Sequence, residues 1–333
     1  MHHTLADLER QIATVFETSG VLPASARSVA RALVAAEAAG QSGHGLRRVP
    51  AYVKQVRSGK VDGLAQASLA HPRPGVLAID ARDGFAYPAL DLAVSTLAPL
   101  ARSQGIASAG IFRSHHAGVM ALTVERFAEE GLVAMMFANA PAAMAPWGGR
   151  KPLFGTNPIA FAVPVGEPAD GTDPIVIDLA LSKVARGKVM EAQQKRVSIP
   201  DDWALDPQGQ PTTDPDIAMQ GTMAPAGGAK GAALALMVEV LSAGITGANF
   251  SHEASSLFDD KGPPPALGHF IIAIDPQATA GAGFGARMAA LATLMASEEG
   301  VRLPGRRGRS LRREALETGL SIDDSVMQAI AAL

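Results

Sequence analysis

The chain has 333 residues, 47% hydrophobic and 18% charged, with a formal net charge of -3 and no cysteine. That slightly acidic balance argues against nucleic acid as a partner, and the missing cysteines exclude disulfides and thiolate metal sites. No apolar run approaches the ~20 residues of a membrane helix, and no basic-then-apolar export signal opens the chain, so a soluble, cytoplasmic protein is expected.

Thr4 and Asp7 open a helix whose apolar positions Leu5, Leu8, Ile12, Val15 and Phe16 recur at helical spacing up to Gly20. A second helix after Ser25 sets Val29, Leu33 and Ala36 on one face and closes at Gly40. A polar, glycine-rich loop, Gln41-Ser42-Gly43-His44-Gly45-Leu46-Arg47-Arg48, follows, and Leu46–Val56 resumes as a helix with Pro50 in its first turn. From Gly75 the period changes. Strands are predicted at Val76–Asp80, Ile106–Phe112, Leu132–Ala138, Pro158–Val163, Ile175–Leu179 and Phe270–Ile274. Helices are predicted at Tyr87–Gln104, Val119–Glu130, Lys183–Lys195 and Gly231–Thr246. The alternation argues for an α/β protein, while hairpin-like neighbours at 158–179 argue against a purely parallel sheet. Two long stretches, Asp201–Ala229 and Ser251–Gly268, are rich in Pro and Asp and read as functional lids or dimer contacts.

Gly281-Ala282-Gly283-Phe284-Gly285 imitates a dinucleotide fingerprint, but its third glycine is misplaced and no acid follows a strand. It reads as a helix entry, and a conventional Rossmann site is rejected. Five histidines (His2, His3, His71, His252 and His269) stand in polar or proline-rich settings and default to surface or loop. His44 differs: glycines flank it and Arg48 follows four residues on, near one helical turn away. A guanidinium that grips a carboxylate beside a proton-carrying imidazole suits a small carboxylate substrate. His115 and His116 are poor metal ligands, because adjacent extended residues point apart and no Asp, Glu or Cys completes a set. No metal is expected. Gly227-Gly228-Ala229-Lys230-Gly231 precedes a helix and suits a phosphate, although it lacks the Walker spacing.

Taken in order, these pieces resemble the malate/L-lactate dehydrogenase family that lacks a Rossmann fold. The resemblance rests on Gly43-His44-Gly45, Ser114-His115-His116-Ala117-Gly118, Gly155-Thr156-Asn157-Pro158, Asp178-Leu179-Ala180 with Ala185-Arg186-Gly187-Lys188, Gly227–Gly231, and Arg302-Leu303-Pro304-Gly305. The run Ala138–Gly149 looks most like the branch that reduces Δ1-pyrroline-2-carboxylate and Δ1-piperideine-2-carboxylate. The resemblance implies a non-Rossmann, mixed-sheet NAD(P)-binding α/β domain at 106–300. A helical region at 1–105 would make substrate and dimer contacts, and a segment at 301–333 would pack back on it. It implies an NADPH-dependent homodimeric reductase of small cyclic imine carboxylates, with NADH as the other cofactor option.

By that pattern His44 donates the proton, while Arg48, Thr156 and His116 bind substrate. His116, Ala117, Gly118, Val119, Met120, Asp178, Leu179, Ala180, Arg186, Gly228, Lys230, Arg302, Arg306, Arg307 and Arg309 line the cofactor. One departure stands out: the family places Ser directly before its histidine, and here that position is Gly43, leaving Ser42 as the candidate relay. Two rival readings follow, a 2-hydroxy-acid dehydrogenase acting on malate- or lactate-like substrates, and a cofactor-binding protein with catalysis weakened at Gly43.

Overall fold

The computed structural model describes residues 2–167 and 171–333. A two-residue strand, β1 (His2–His3), precedes three helices: α1 (Leu5–Thr18), α2 (Pro23–Ala38) and α3 (Val49–Arg57). Thr4 caps α1, its hydroxyl accepting the Asp7 N–H at 3.1 Å. Proline stands in the first turn of α2 and α3, where its missing N–H would have had no helical partner.

The centre is a seven-stranded sheet. Its strands are β2 (Ser68–Arg73), β3 (Val76–Asp80), β4 (Ile106–Ser114), β5 (Val133–Ala138), β6 (Ile159–Val163), β7 (Ile175–Leu179) and β10 (Leu267–Ile274). They lie in the order β2-β3-β4-β10-β5-β6-β7. β3 and β4 pair in parallel, and every other neighbouring pair is antiparallel. A doubly wound dinucleotide fold needs parallel strands with crossovers, so this mixed sheet is of another kind, as expected. β2 escaped sequence reading because it is an edge strand with a mostly exposed pattern and a proline at 72.

Helices α4 (Ala86–Gln104) and α5 (Ala121–Glu129) cover one face, around Leu77, Ile79, Leu97, Ile111, Phe127 and Met136. The other face carries α6 (Arg186–Lys195), α7 (Pro215–Gln220) and α8 (Ala229–Glu239), with a small ladder of β8 (Ala204–Leu205) and β9 (Thr222–Met223). The stretch 201–229 is therefore partly regular rather than a plain loop. Helix α8 runs into a π-helical turn at 240–244.

The glycine-rich stretch near 281 lies between α9 (Gln277–Ala280) and α10 (Phe284–Ala296) as a helix entry. Gly285 is needed there for packing, since a Cβ would come within 2.4 Å of the Gly166 carbonyl oxygen. The chain ends with α11 (Arg306–Thr318), β11 (Leu320–Ser321) and α12 (Asp324–Ala331). β11 pairs with β1, and Ile322, Val326 and Ile330 join Leu8, Phe16 and Leu33 in one core.

Candidate active site

The His44 loop follows α2 as two 3₁₀ turns, 42–44 and 46–48. The Glu37 carboxylate on α2 accepts the Leu46 N–H at 2.8 Å. A Cβ on Gly45 would lie 2.2 Å from that carboxylate, so glycine is required where the loop passes α2. Arg48 caps α3, and its Nε donates to the Gly43 carbonyl at 2.8 Å, holding the guanidinium beside the histidine loop.

The imidazoles of His44 and His116 stack, with ring centroids 5.1 Å apart and planes 22° from parallel. Tyr52 on α3 places its hydroxyl 2.6 Å from His116 Nδ1 and 3.4 Å from the Tyr87 hydroxyl. Burial lowers the pKa of His44 to about 4, helped by the Arg48 charge, and burial moves His116 well below its ordinary value. Both rings are therefore neutral at pH 7. With Tyr52 as donor to Nδ1, the His116 ring hydrogen sits on Nε2.

Tyr52 escaped sequence reading, yet a signal was present. Arg48, Tyr52 and Gln55 are spaced i, i+4, i+7 and share one stripe of α3.

His269 corrects the sequence expectation of a surface or loop position. It is buried in β10, with Nε2 3.0 Å from Ser114 Oγ and 3.1 Å from the His115 carbonyl. Its neighbour His115 is also buried, packed edge-on to Tyr52 and Phe85, and burial drives its pKa to about 3. Burial keeps both of these rings neutral at pH 7.

Ala117 to Met120 link β4 to α5. Gly118 has φ of +67°, and a Cβ there would meet the Tyr87 hydroxyl oxygen at 2.5 Å. The loop can lie this close to the tyrosine pair because position 118 lacks a side chain. At the start of α5, the Ala121 N–H donates to Asp178 Oδ2 at 2.8 Å, joining the loop to edge strand β7. Asp178 is exposed to solvent, and desolvation by surrounding protein still raises its pKa to about 6. Next to it, Leu179 presents a side chain 45% exposed.

Further along β7 the Val176 N–H donates to the Pro304 carbonyl at 3.3 Å, placing the basic turn against the same strand. Arg302, Arg306 and Arg307 are exposed in that turn. Arg309 is placed differently. It is bound by Glu125, Glu129 and Asp173, so its charge is already offset within the protein.

The Thr156 carbonyl accepts the Leu181 N–H at 2.8 Å. The following Asn157 donates to the Glu239 carboxylate at 2.7 Å, which also accepts from the Ser251 hydroxyl at 2.6 Å. Ser251 begins the loop that brings the Phe258 ring to 4.9 Å from the Arg48 guanidinium carbon. Asn157, Glu239 and Ser251 thus link the Phe258 loop to the residue that follows Thr156. Arg186 opens α6 with one long hydrogen bond, 3.3 Å to the Ala142 carbonyl, and burial lowers its pKa. Ser42 makes no hydrogen bond to His44 among the described residues, and a Cβ on Gly43 would meet nothing within 4 Å.

Two features bear on the fit to a dinucleotide. Helix α8 begins at Gly228 without a side-chain cap, so the amides of its first turn remain for an anion, with Lys230 exposed beside them. The three exposed arginines at 302–307 supply positive charge along the β7 edge. Both features suit phosphates. Among the described residues no group of three potential ligands that could hold a metal occurs, and no helix is long and apolar enough to cross a membrane.

A sequence profile described as malate/L-lactate dehydrogenase matches residues 4–331. The chain is 50% identical to (2R)-3-sulfolactate dehydrogenase (NADP(+)) of Chromohalobacter salexigens, over 99% of this chain and 97% of that protein. It is 40% identical to Delta(1)-pyrroline-2-carboxylate/Delta(1)-piperideine-2-carboxylate reductase of Pseudomonas putida, over 98% and 95% of the two chains. The crystal structure of delta1-piperideine-2-carboxylate reductase from Pseudomonas syringae matches with a TM-score of 0.92 at 36% identity, covering 100% of this chain and 99% of that one.

Proposed function

This chain belongs to the malate/L-lactate dehydrogenase family of NAD(P)-dependent oxidoreductases, and from that premise we propose that it interconverts a small 2-hydroxy acid and its 2-oxo acid with NADP(H). The observation that carries this choice of substrate is electrostatic. Burial is the main cause that lowers the pKa of His44, His115 and His116, and the positive charge of Arg48 lowers each of them further. Such a field stabilises the oxyanion that develops when hydride adds to a ketone, and it opposes a protonated imine. The 50% identity to a sulfolactate dehydrogenase supports the same choice and favours a substrate with a second anion.

In this reading the Arg48 fork grips the substrate carboxylate and Thr156 borders the substrate. His44 exchanges the proton at the substrate oxygen. A neutral His44 is ready to accept the hydroxyl proton in the oxidative direction. In the reductive direction it must first be protonated, and a bound carboxylate favours this by offsetting Arg48. NADP(H) supplies or accepts the hydride. Exposed Arg302, Arg306 and Arg307 are the candidates for a 2′-phosphate, which is the argument for NADP(H) over NAD(H).

A second reading, reduction of cyclic imine carboxylates, is favoured by the reductase relatives at 34–40% identity and by the Ala138–Gly149 resemblance. The deciding assay compares kcat/KM for 3-sulfopyruvate, oxaloacetate and pyruvate with that for Δ1-pyrroline-2-carboxylate and Δ1-piperideine-2-carboxylate. A preference for an oxo acid is expected. A tenfold preference for either imine would replace the first reading with the second, and tight NADPH binding without turnover on any of them would point to lost catalysis.

The assembly proposed is a homodimer. Leu234, Leu236, Met237, Val240 and Ile245 are 40–57% exposed along α8 and its π turn, which makes this face costly to leave in water. Leu236→Glu should convert the dimer to monomers in sedimentation. An unchanged sedimentation coefficient would place the contact elsewhere.

A further inference from the structure

The loop 251–268 is built as a wall with a fixed position. Its anchor is Lys60, whose side chain is 0% exposed. The Lys60 ammonium donates to the carbonyls of Ser256 at 2.6 Å, Lys261 at 2.7 Å and Asp259 at 3.1 Å. An ammonium has three hydrogens, and three carbonyls are present to accept them. The Asp259 carboxylate stands 3.5 Å away and is nearly half exposed, so backbone oxygens provide the main solvation of this cation.

The second anchor is Gln55, also fully buried. Its amide donates to the Leu257 carbonyl at 3.2 Å and the Asp259 carbonyl at 3.0 Å. Those are the residues on either side of Phe258. The two tethers therefore fix one aromatic ring, and that ring lies over the Arg48 guanidinium.

A buried lysine is an expensive way to hold a loop. A cheaper apolar contact would serve if only stability were at stake. What this arrangement adds is a defined angle for Phe258. A guanidinium covered on one face by an aromatic ring keeps its N–H edge for a planar carboxylate, and the ring limits the space beside that carboxylate.

We infer that Lys60 and Gln55 are positioning residues that seat Phe258 on Arg48, and that Phe258 is the specificity-determining wall of the substrate site. The inference rests on the reading above that Arg48 holds the substrate carboxylate. Phe258 sets which substituent at C3 of the substrate is accepted, and Lys60 sets Phe258.

The test uses steady-state kinetics of the full chain on its best substrate, with NADPH affinity from fluorescence titration. Phe258→Ala should raise substrate KM about fivefold or more, change kcat less than threefold, and leave the NADPH Kd within twofold. It should also narrow the KM gap between pyruvate and substrates with larger C3 substituents. Phe258→Tyr, which keeps the ring, should restore KM. Lys60→Met should reproduce the Phe258→Ala pattern, and combining the two should add little to KM. An unchanged KM and unchanged selectivity in Phe258→Ala would overturn the inference, as would fully additive effects in the double variant. Should Lys60→Met fail to fold, the Phe258 pair still decides the matter. Arg48→Ala separates the two levels. If it leaves KM unchanged, the carboxylate reading fails; if it raises KM while Phe258→Ala does not, only the present inference fails.

Discussion

Tyr52→Phe removes one oxygen from the junction of both halves of the site. That hydroxyl lies 2.6 Å from His116 Nδ1, is fully buried, and is also 3.4 Å from the Tyr87 hydroxyl. A buried hydrogen bond contributes about 0.5–1.5 kcal/mol net, and stranding its partner costs about 1–3 kcal/mol. His116 Nδ1 would be the stranded atom. If that loss falls on the transition state, a penalty of ~1–3 kcal/mol predicts a drop in kcat/KM of about 5- to 150-fold. The assay is NADPH-linked turnover on the best oxo acid, with a melting curve to confirm folding. The melting temperature should fall by a few degrees, since the same bond supports the native state. Retention of kcat/KM within twofold would refute the claim that Tyr52 orients His116.

Three further outcomes follow from the geometry. Gly118→Ala forces a non-glycine residue to a φ of +67° and drives its methyl group to within 2.5 Å of the Tyr87 hydroxyl. It should destabilise the protein by ~1–3 kcal/mol and weaken NADPH binding more than tenfold, and unchanged titration and melting curves would count against it. Gly43→Ser finds open space beside His44 and should raise kcat several-fold; no gain would mean that His44 needs no hydroxyl next to it. Acid should unfold the protein early. His44 and His269 have folded pKa values of about 4 and His115 about 3, all below the unfolded 6.5. The unfolded chain therefore binds the extra protons between pH 6.5 and about 3, so stability is full above 6.5 and is lost as pH falls. Each tenfold difference in proton affinity is worth ~1.4 kcal/mol, so by the acid end of that window these rings together cost the fold several kcal/mol. His115→Phe should flatten the melting temperature between pH 7 and 5, and an unchanged slope would refute the assignment.

Local patterns made much of this legible. Strand β7 spans the expected Ile175–Leu179 stretch, and α4 begins one residue before its expected start. His44 and Arg48 were readable as a pair because four residues separate them along the loop and helix. What stayed hidden was long-range. His269 looks like a loop residue until β10 sets it against Ser114 and His115, more than 150 positions earlier. Arg309 looks like part of a cationic turn until Glu125, Glu129 and Asp173 close around it. Lys60 gave no local signal at all, since the three carbonyls that receive it lie about 200 residues downstream.

The pairing of β1 with β11 also has a bearing on the order of events at the ribosome. Helices α1 to α3 are made before the sheet, but their core includes Ile322, Val326 and Ile330, which are made after it. Arg57 at the end of α3 donates to the carbonyl of Leu333 itself. Part of the apolar face of these helices therefore stays uncovered until α12 has been made. The sheet has all its strands by residue 274 and can form before them. Arg48 stands at the start of α3 and Tyr52 within it, so the half of the cleft that they build rests on a core completed only by α12.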